Sequence, residues 1–115
     1  MIELMLELYP WLPVGVSLLS RCRQNKVWTT REGETIRVSK IGKSHAQNLV
    51  RWLEKRAVMI HKAASICAWI DLDRHDGGEA AHDSIEEEAC RLEETDPLEF
   101  LRALPLYVKV LEKSV

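Results

Sequence analysis

Aromatic residues are scarce in this 115-residue chain, 6% of the total, yet four of the seven are Trp. Rings this few and this large read as anchors in a core or an interface. Cysteine is scarce too: Cys22, Cys67 and Cys90 are odd in number and widely spaced, with no CxxC. That excludes a disulfide framework and points to the reduced thiols of a cytosol. Cys67, between Ile66 and Ala68 on a predicted helix, is expected to be a buried, inert thiol. With five Gly and four Pro, no low-complexity run or linker stands out, and residues 1–115 read as a single domain. No long apolar run survives inspection. The N-terminal stretch MIELMLELYPWLPVGVSLL begins with Glu3 and Glu7 and is cut by Pro10, Pro13 and Gly15, so neither a signal peptide nor a membrane span is expected. HExxH, GxSxG and a Gly-rich phosphate loop are all missing. The chain is accordingly expected to have no catalytic residue, no metal and no cofactor.

What the chain does have is a lopsided charge distribution. The net charge is −2, but Met1–Lys62 carries eleven Lys or Arg against five Asp or Glu, a net +6, and Ala63–Val115 carries five against thirteen, a net −8. The halves either face and neutralise each other, or present a basic patch and an acidic patch to partners.

Along the chain, Met1–Leu8 suits a short apolar helix ended by Pro10, because a residue before proline is pushed out of the helical region. Val14–Cys22 reads as a further helical turn or two, or as extended chain. Lys26–Thr30, with Val27, Trp28, Thr29 and Thr30, is a strand candidate. Arg31-Glu32-Gly33-Glu34 is a turn in which Gly33 supplies positive φ. Thr35–Ile41 alternates as a second strand. Ser44 is an expected N-cap, with Gln47 closing a capping box. From there Ala46, Val50, Leu53, Ala57, Ile60, Ala64 and Cys67, widened by Leu49 and Met59, recur at spacings of three and four. With no Gly or Pro before Gly77, one spine helix to about Ile70 is expected, about 40 Å long. Asp71–Glu79 reads as a loop. A third helix is expected from Asp83 or Ser84, with the stripe Ile85, Ala89 and Leu92 and with Glu86, Glu87 and Glu88 in its first turn. A fourth is expected from Asp96, with Pro97 at its first position and Leu98, Leu101, Leu104, Val108 and Leu111 on one face, kinked or broken at Pro105. The fold class is therefore α+β, mainly α: a two-stranded β-hairpin packed on a long central helix with three or four shorter helices.

Few groupings resemble chemistry. His45 and Asn48, one turn apart, are expected to tie the spine to the hairpin and Trp28. They lack the third member of a triad. Asp71, Asp73, His75, Asp76 and His82 are metal-capable, but fit no ligand grammar and read as a solvated loop. Glu93-x-x-Asp96 and Glu86–Glu88 resemble the acidic helices of small nucleotide pyrophosphohydrolases. The facing carboxylate pair is missing, because the spine offers only Glu54. Arg51, Lys55, Arg56 and Lys62 form a basic set on the spine, with Arg21, Arg23 and Lys26 upstream, that suits phosphates, plain solvent or pairing with the acidic helix.

Trp28–Arg56 resembles a hairpin–helix unit of small phage and prophage proteins of uncharacterised function. Trp28, Thr29, Gly33, Ile36, Val38, Ser44, His45, Asn48, Leu53 and Arg56 carry the likeness, with Trp28, Gly33, His45 and Asn48 as its structural motif. Ile41 stands where Met is usual and Lys43 where an acid is common. The likeness covers about a quarter of the chain and implies origin, not activity. It leads to the expectation of a non-enzymatic phage or mobile-element protein in a bacterial cytosol. Such a protein would bind a host or phage protein, as anti-defence proteins do, through Glu86, Glu87, Glu88, Glu93 and Glu94. The alternative is nucleic-acid binding through Arg51, Lys55, Arg56 and Lys62. No membrane partner is expected. A homodimer is, because Trp11, Trp52 and Trp69 are more rings than one small core easily encloses.

Overall fold

The structure, a computed structural model, describes residues 7–30, 32–73 and 78–115. The helix expected over Met1–Leu8 thus lies outside the described residues, except for Glu7 and Leu8. Among the described residues the elements run α1 (Leu12–Cys22), β1 (Val27–Thr29), β2 (Thr35–Arg37), a 3-10 turn (Val38–Lys40), α2 (Lys43–Lys55), α3 (Ala57–Asp73), α4 (Glu79–Glu94), α5 (Pro97–Arg102) and α6 (Pro105–Lys113). This is the mainly helical α+β architecture, with one two-stranded antiparallel sheet.

Pro13 sits in the first turn of α1, where its missing N–H costs nothing. Leu12, Gly15, Leu18, Leu19 and Cys22 form its buried stripe. Gly15 faces the spine: a Cβ there would lie 3.1 Å from the Trp11 ring and 3.2 Å from Ala63 Cβ. Its hydrogen side chain lets α1 sit close on α3. The turn out of α1 is held by Gln24. Its Nε2 donates to the Arg21 and Val27 carbonyls, and its Oε1 accepts from Lys26 N at 2.9 Å and Val27 N at 3.0 Å.

The hairpin pairs Val27 with Arg37, Trp28 with Ile36 and Thr29 with Thr35. Gly33 has φ of 88°, the left-handed conformation expected of it, and Thr30 closes the loop by hydrogen bonds with Glu34 and Gly33. Arg31, expected in the same turn, is outside the described residues. The second strand is shorter than the alternation suggested. After Val38 N donates to Lys26 O at 2.9 Å, the chain tightens into the 3-10 turn. Residues three apart stack in such a turn, so Val38 and Ile41 both reach the core.

The spine differs from the expected single helix. Arg56 leaves helical geometry, at φ −106° and ψ 8°, and divides it into α2 and α3. The physical cause is local. The Arg56 guanidinium donates to Trp52 O at 3.2 Å, the carbonyl its own N–H would use in an unbroken helix. The N–H bonds Leu53 O instead, at 2.9 Å. At the start of α2, Gly42 is the N-cap, no side chain caps it, and Lys43 is already helical. The box of Ser44 and Gln47 therefore does not form; Gln47 Nε2 reaches Ser114 O at 3.1 Å.

α3 continues through Asp71 to Asp73, where a loop was expected; residues 74–77 lie outside the described residues. It buries Ala57, Ile60, Ala63, Ala64 and Ile66, and also His61 and Ser65. His61 Nε2 is 2.7 Å from Leu92 O, and its ring meets Phe100 edge-on at 5.5 Å. α4 starts at Glu79 behind Gly78, earlier than the expected Asp83 or Ser84, so Glu86–Glu88 are in mid-helix. Its stripe is as expected: Ala89 is buried and Leu92 packs on the core.

Asp96 caps α5 as expected, accepting from Leu98 N at 3.1 Å and Glu99 N at 3.3 Å. At Leu104 the backbone turns extended, with ψ 138°, and Pro105 opens α6. That break shifts the helical phase. Leu101, Leu104, Leu106, Tyr107 and Val110 are buried, while Leu98, Val108 and Leu111 are exposed, so the five-residue face expected across the break is not formed. The main core joins α1, the hairpin, α2, α3, α5 and α6; a smaller cluster of Leu12, Ala63 and Ile66 lies beside Tyr9, Trp11 and Ile70.

Candidate functional site

A cleft of about 800 Å³ opens between α1, the hairpin and the spine. The helical period builds two of its walls. On α1, Pro13, Val14, Ser17, Leu18 and Arg21 fall on one face; on α2, His45, Asn48, Leu49 and Trp52 do the same. Trp28, Thr29 and Thr30 enter from the hairpin, and Arg56 and Met59 from the junction of α2 and α3.

The lining has a definite chemical character. Trp28, only 7% exposed, meets Trp52 edge-on at 5.6 Å. The Arg56 guanidinium lies 3.8 Å above the Trp52 ring, a cation–π contact strengthened by partial burial. The stacking and the bond to Trp52 O together fix that guanidinium. Of its five N–H donors, that bond uses one among the described residues. Arg21 and Arg56 bring positive charge, Ser17, Thr29, Thr30, Asn48 and His45 bring polar edges, and Val14, Leu18 and Met59 bring apolar surface; no Asp or Glu is among the described lining residues.

Of the structural motif, Trp28, His45 and Asn48 converge on this cleft, while Gly33 has nothing within 4 Å of a would-be Cβ. His45 and Asn48 are exposed and, among the described residues, make no hydrogen bond to the hairpin. In the sequence Arg21 stood only as a basic residue upstream of the spine and Met59 only as part of its apolar stripe; neither, nor the rest of the α1 wall, was placed at a site. The period of α1 was the available signal, but nothing in the sequence said which element it would face.

The basic set of the spine is divided. Arg51 and Lys55 are exposed on α2, Arg56 turns into the cleft, and Lys62 on α3 lies 5.2 Å from the Tyr9 ring centre. The acidic set lies together on α4, and Glu86, Glu87, Glu88, Glu93 and Glu94 are all exposed. Glu88 pairs with Arg91 at 2.6 Å, and Glu93 accepts from Trp69 Nε1 at 3.2 Å. Glu93 and Asp96 are thus occupied by a tryptophan and a helix cap. His82, Asp83 and Glu86 have ligand atoms within 4.8 Å of one another, all exposed; Glu86 is the i+4 neighbour of His82 and the i+3 neighbour of Asp83 on the helix surface. Of the other metal-capable residues, Asp71 is on α3, and His75 and Asp76 lie outside the described residues.

Burial pushes the Cys22 thiol up to about 12. Cys67 is half-buried where full burial was expected. Burial, then the Asp71 carboxylate, raise its pKa against the lowering effect of Arg23. Both sulfurs are therefore poor nucleophiles at neutral pH. Among the described residues no helix is long and apolar enough to cross a membrane. No protein-family model, curated protein or solved structure matches the chain.

Proposed function

We propose that this chain is a non-enzymatic accessory protein of phage or mobile-element origin that binds a host or phage protein in a bacterial cytosol and blocks it, as anti-defence proteins do. The hairpin–helix resemblance supports the origin. The observation that carries the binding reading is charge separation. Among the described residues every Lys or Arg ion pair lies within one helix, Arg91 with Glu88 and Lys109 with Glu112, and His82 approaches Glu86 of its own helix at 4.0 Å. Among the described residues no Lys or Arg of the basic half lies within 4.0 Å of an acidic group of the other half. Helical geometry sets Glu87 and Glu94 opposite the stripe of Ile85, Ala89 and Leu92, with Glu86 and Glu93 on the flank between them and that stripe. A solvent-facing acidic strip of this kind steers a basic partner.

A second reading is nucleic-acid binding, favoured by the exposure of Arg51, Lys55 and Lys62, none of them in an ion pair among the described residues. One experiment separates the two. The parent chain, a variant with Glu86, Glu87, Glu93 and Glu94 changed to Lys, and a variant with Arg51, Lys55 and Lys62 changed to Glu are used as bait in host lysate and in low-salt gel shifts. The protein-binding reading expects a partner captured by the parent and the basic-residue variant but lost from the acidic-residue variant. Capture indifferent to that strip, or no capture, rejects it. A gel shift lost with the basic residues and weakened steeply by salt would support the second reading instead. Half-buried Trp11, Trp52 and Trp69 and exposed Val14 and Val58 support a second copy as a further partner. Light scattering of the parent should then give twice 13.2 kDa.

A further inference from the structure

The cleft is independent of both charged surfaces, and its lining specifies a ligand more narrowly than they do. We propose that it binds a nucleotide, with the phosphate held by Arg21 and Arg56 and the base lodged against the apolar and polar lining beside Trp52. Three observations carry this. The first is size: about 800 Å³ falls within the range of small-molecule sites. The second is sign. The chain has more acidic than basic residues, yet the described lining holds two Arg and no carboxylate, which selects an anion. The Arg56 fork is already immobilised on Trp52, so little side-chain freedom remains to be lost when it takes up phosphate oxygens. The third is the mixture of surfaces. An anion with a plain hydrocarbon tail would bury the Asn48 amide and the Thr29 hydroxyl without partners, at a cost for each. A flat ring with heteroatoms at its edge meets both kinds of lining: its faces lie on apolar side chains or on a guanidinium plane, and its edge pairs with the amide and hydroxyls.

The test is calorimetric titration of the full chain with AMP, ATP, adenosine, inorganic phosphate and a ten-residue oligothymidylate, with tryptophan fluorescence followed in parallel. AMP or ATP should bind saturably and quench the emission. Adenosine and phosphate alone should each bind about tenfold more weakly or worse, because each lacks one half of the recognition. Arg21→Gln, at an exposed position, should weaken AMP about tenfold, as should Arg56→Lys, which keeps the charge and loses the fork. Lys40→Gln removes the same charge outside the lining and should leave the affinity unchanged. Circular dichroism of each variant confirms that it is folded. The proposal is overturned if AMP and ATP give no saturable signal at millimolar concentration, or if folded Arg21→Gln and Arg56→Lys bind like the parent. It is equally overturned if only the oligothymidylate binds, with steep salt dependence, which would assign the signal to exposed cations. None of these outcomes depends on whether the acidic strip captures a protein.

Discussion

The two ends of the spine are built in different ways. Around α2, long-range side-chain bonds lace the chain together: Gln47 to Ser114 O, Tyr107 to Glu54 and Lys113 to Ser39 O, spanning 53 to 74 residues of sequence. These surround a core in which Leu53, Val38, Leu106 and Val110 are fully buried. Around α4, one narrow stripe rests on α3, and among the described residues the cross-element side-chain bonds are those of His61 and Trp69. The hairpin end is thus a packed body and the α4 end a charged helix held along one edge. Stability of this kind is local, and thinly packed elements open more readily than the core they rest on. The cleft belongs to the packed end; the acidic strip belongs to the other.

Three perturbations would break or sharpen that contrast. The largest effect is expected of Leu53→Ala, which empties a site with 0% exposure and should cost about 2–5 kcal/mol. Read by thermal melting, that is a fall of about 10 °C or more; a fall of only a degree or two would mean that the packed end is not where the stability resides. His61→Ala should cost less, about 1–3 kcal/mol, and unevenly. It removes the bond to Leu92 O and the edge contact with Phe100. Amide hydrogen exchange should therefore quicken across α4 while α2 keeps its protection. Equal acceleration in both would show the two ends to be one cooperative unit. The gentlest probe is thiol labelling of the native chain near pH 8. Cys90, exposed on α4, should react first. Cys22, buried and pushed up to about 12, should stay unlabelled until denaturant is added. Early labelling of Cys22 would contradict the tight packing of α1.

Which features were legible from sequence follows from how locally each is determined. The Asp96-Pro97 start was readable because a cap is made by a residue and its next three neighbours. Gly33 was readable because only a left-handed residue closes that loop. The division of the spine at Arg56 was not, because neither Gly nor Pro marks it. A side chain from the same turn takes the carbonyl, and no pattern of apolar residues reports that. The last helix failed for a related reason. Leu98, Leu101, Leu104, Val108 and Leu111 are periodic, but a periodicity carried across Pro105 assumes a continuous phase that the extended Leu104 resets. Of the cleft, the wall made by Trp28, His45 and Asn48 lay within one recognisable unit. The facing wall depends on α1 crossing α3 at Gly15, a tertiary contact between residues 48 apart in sequence.

The Gln24 clamp has a bearing on how the hairpin end assembles. Two three-residue strands are too short to hold together alone in water. The amide of Gln24 supplies both donor and acceptor to the backbone at the end of α1 and the entry to the first strand, fixing the departure of that strand from α1 with bonds that span no more than three residues. The entropic penalty of closing so short a loop is small, and the direction in which Trp28 enters is set by its immediate neighbours. Long-range pairing then begins from a chain already aimed, so the orientation of the indole that floors the cleft is settled by local rather than global order.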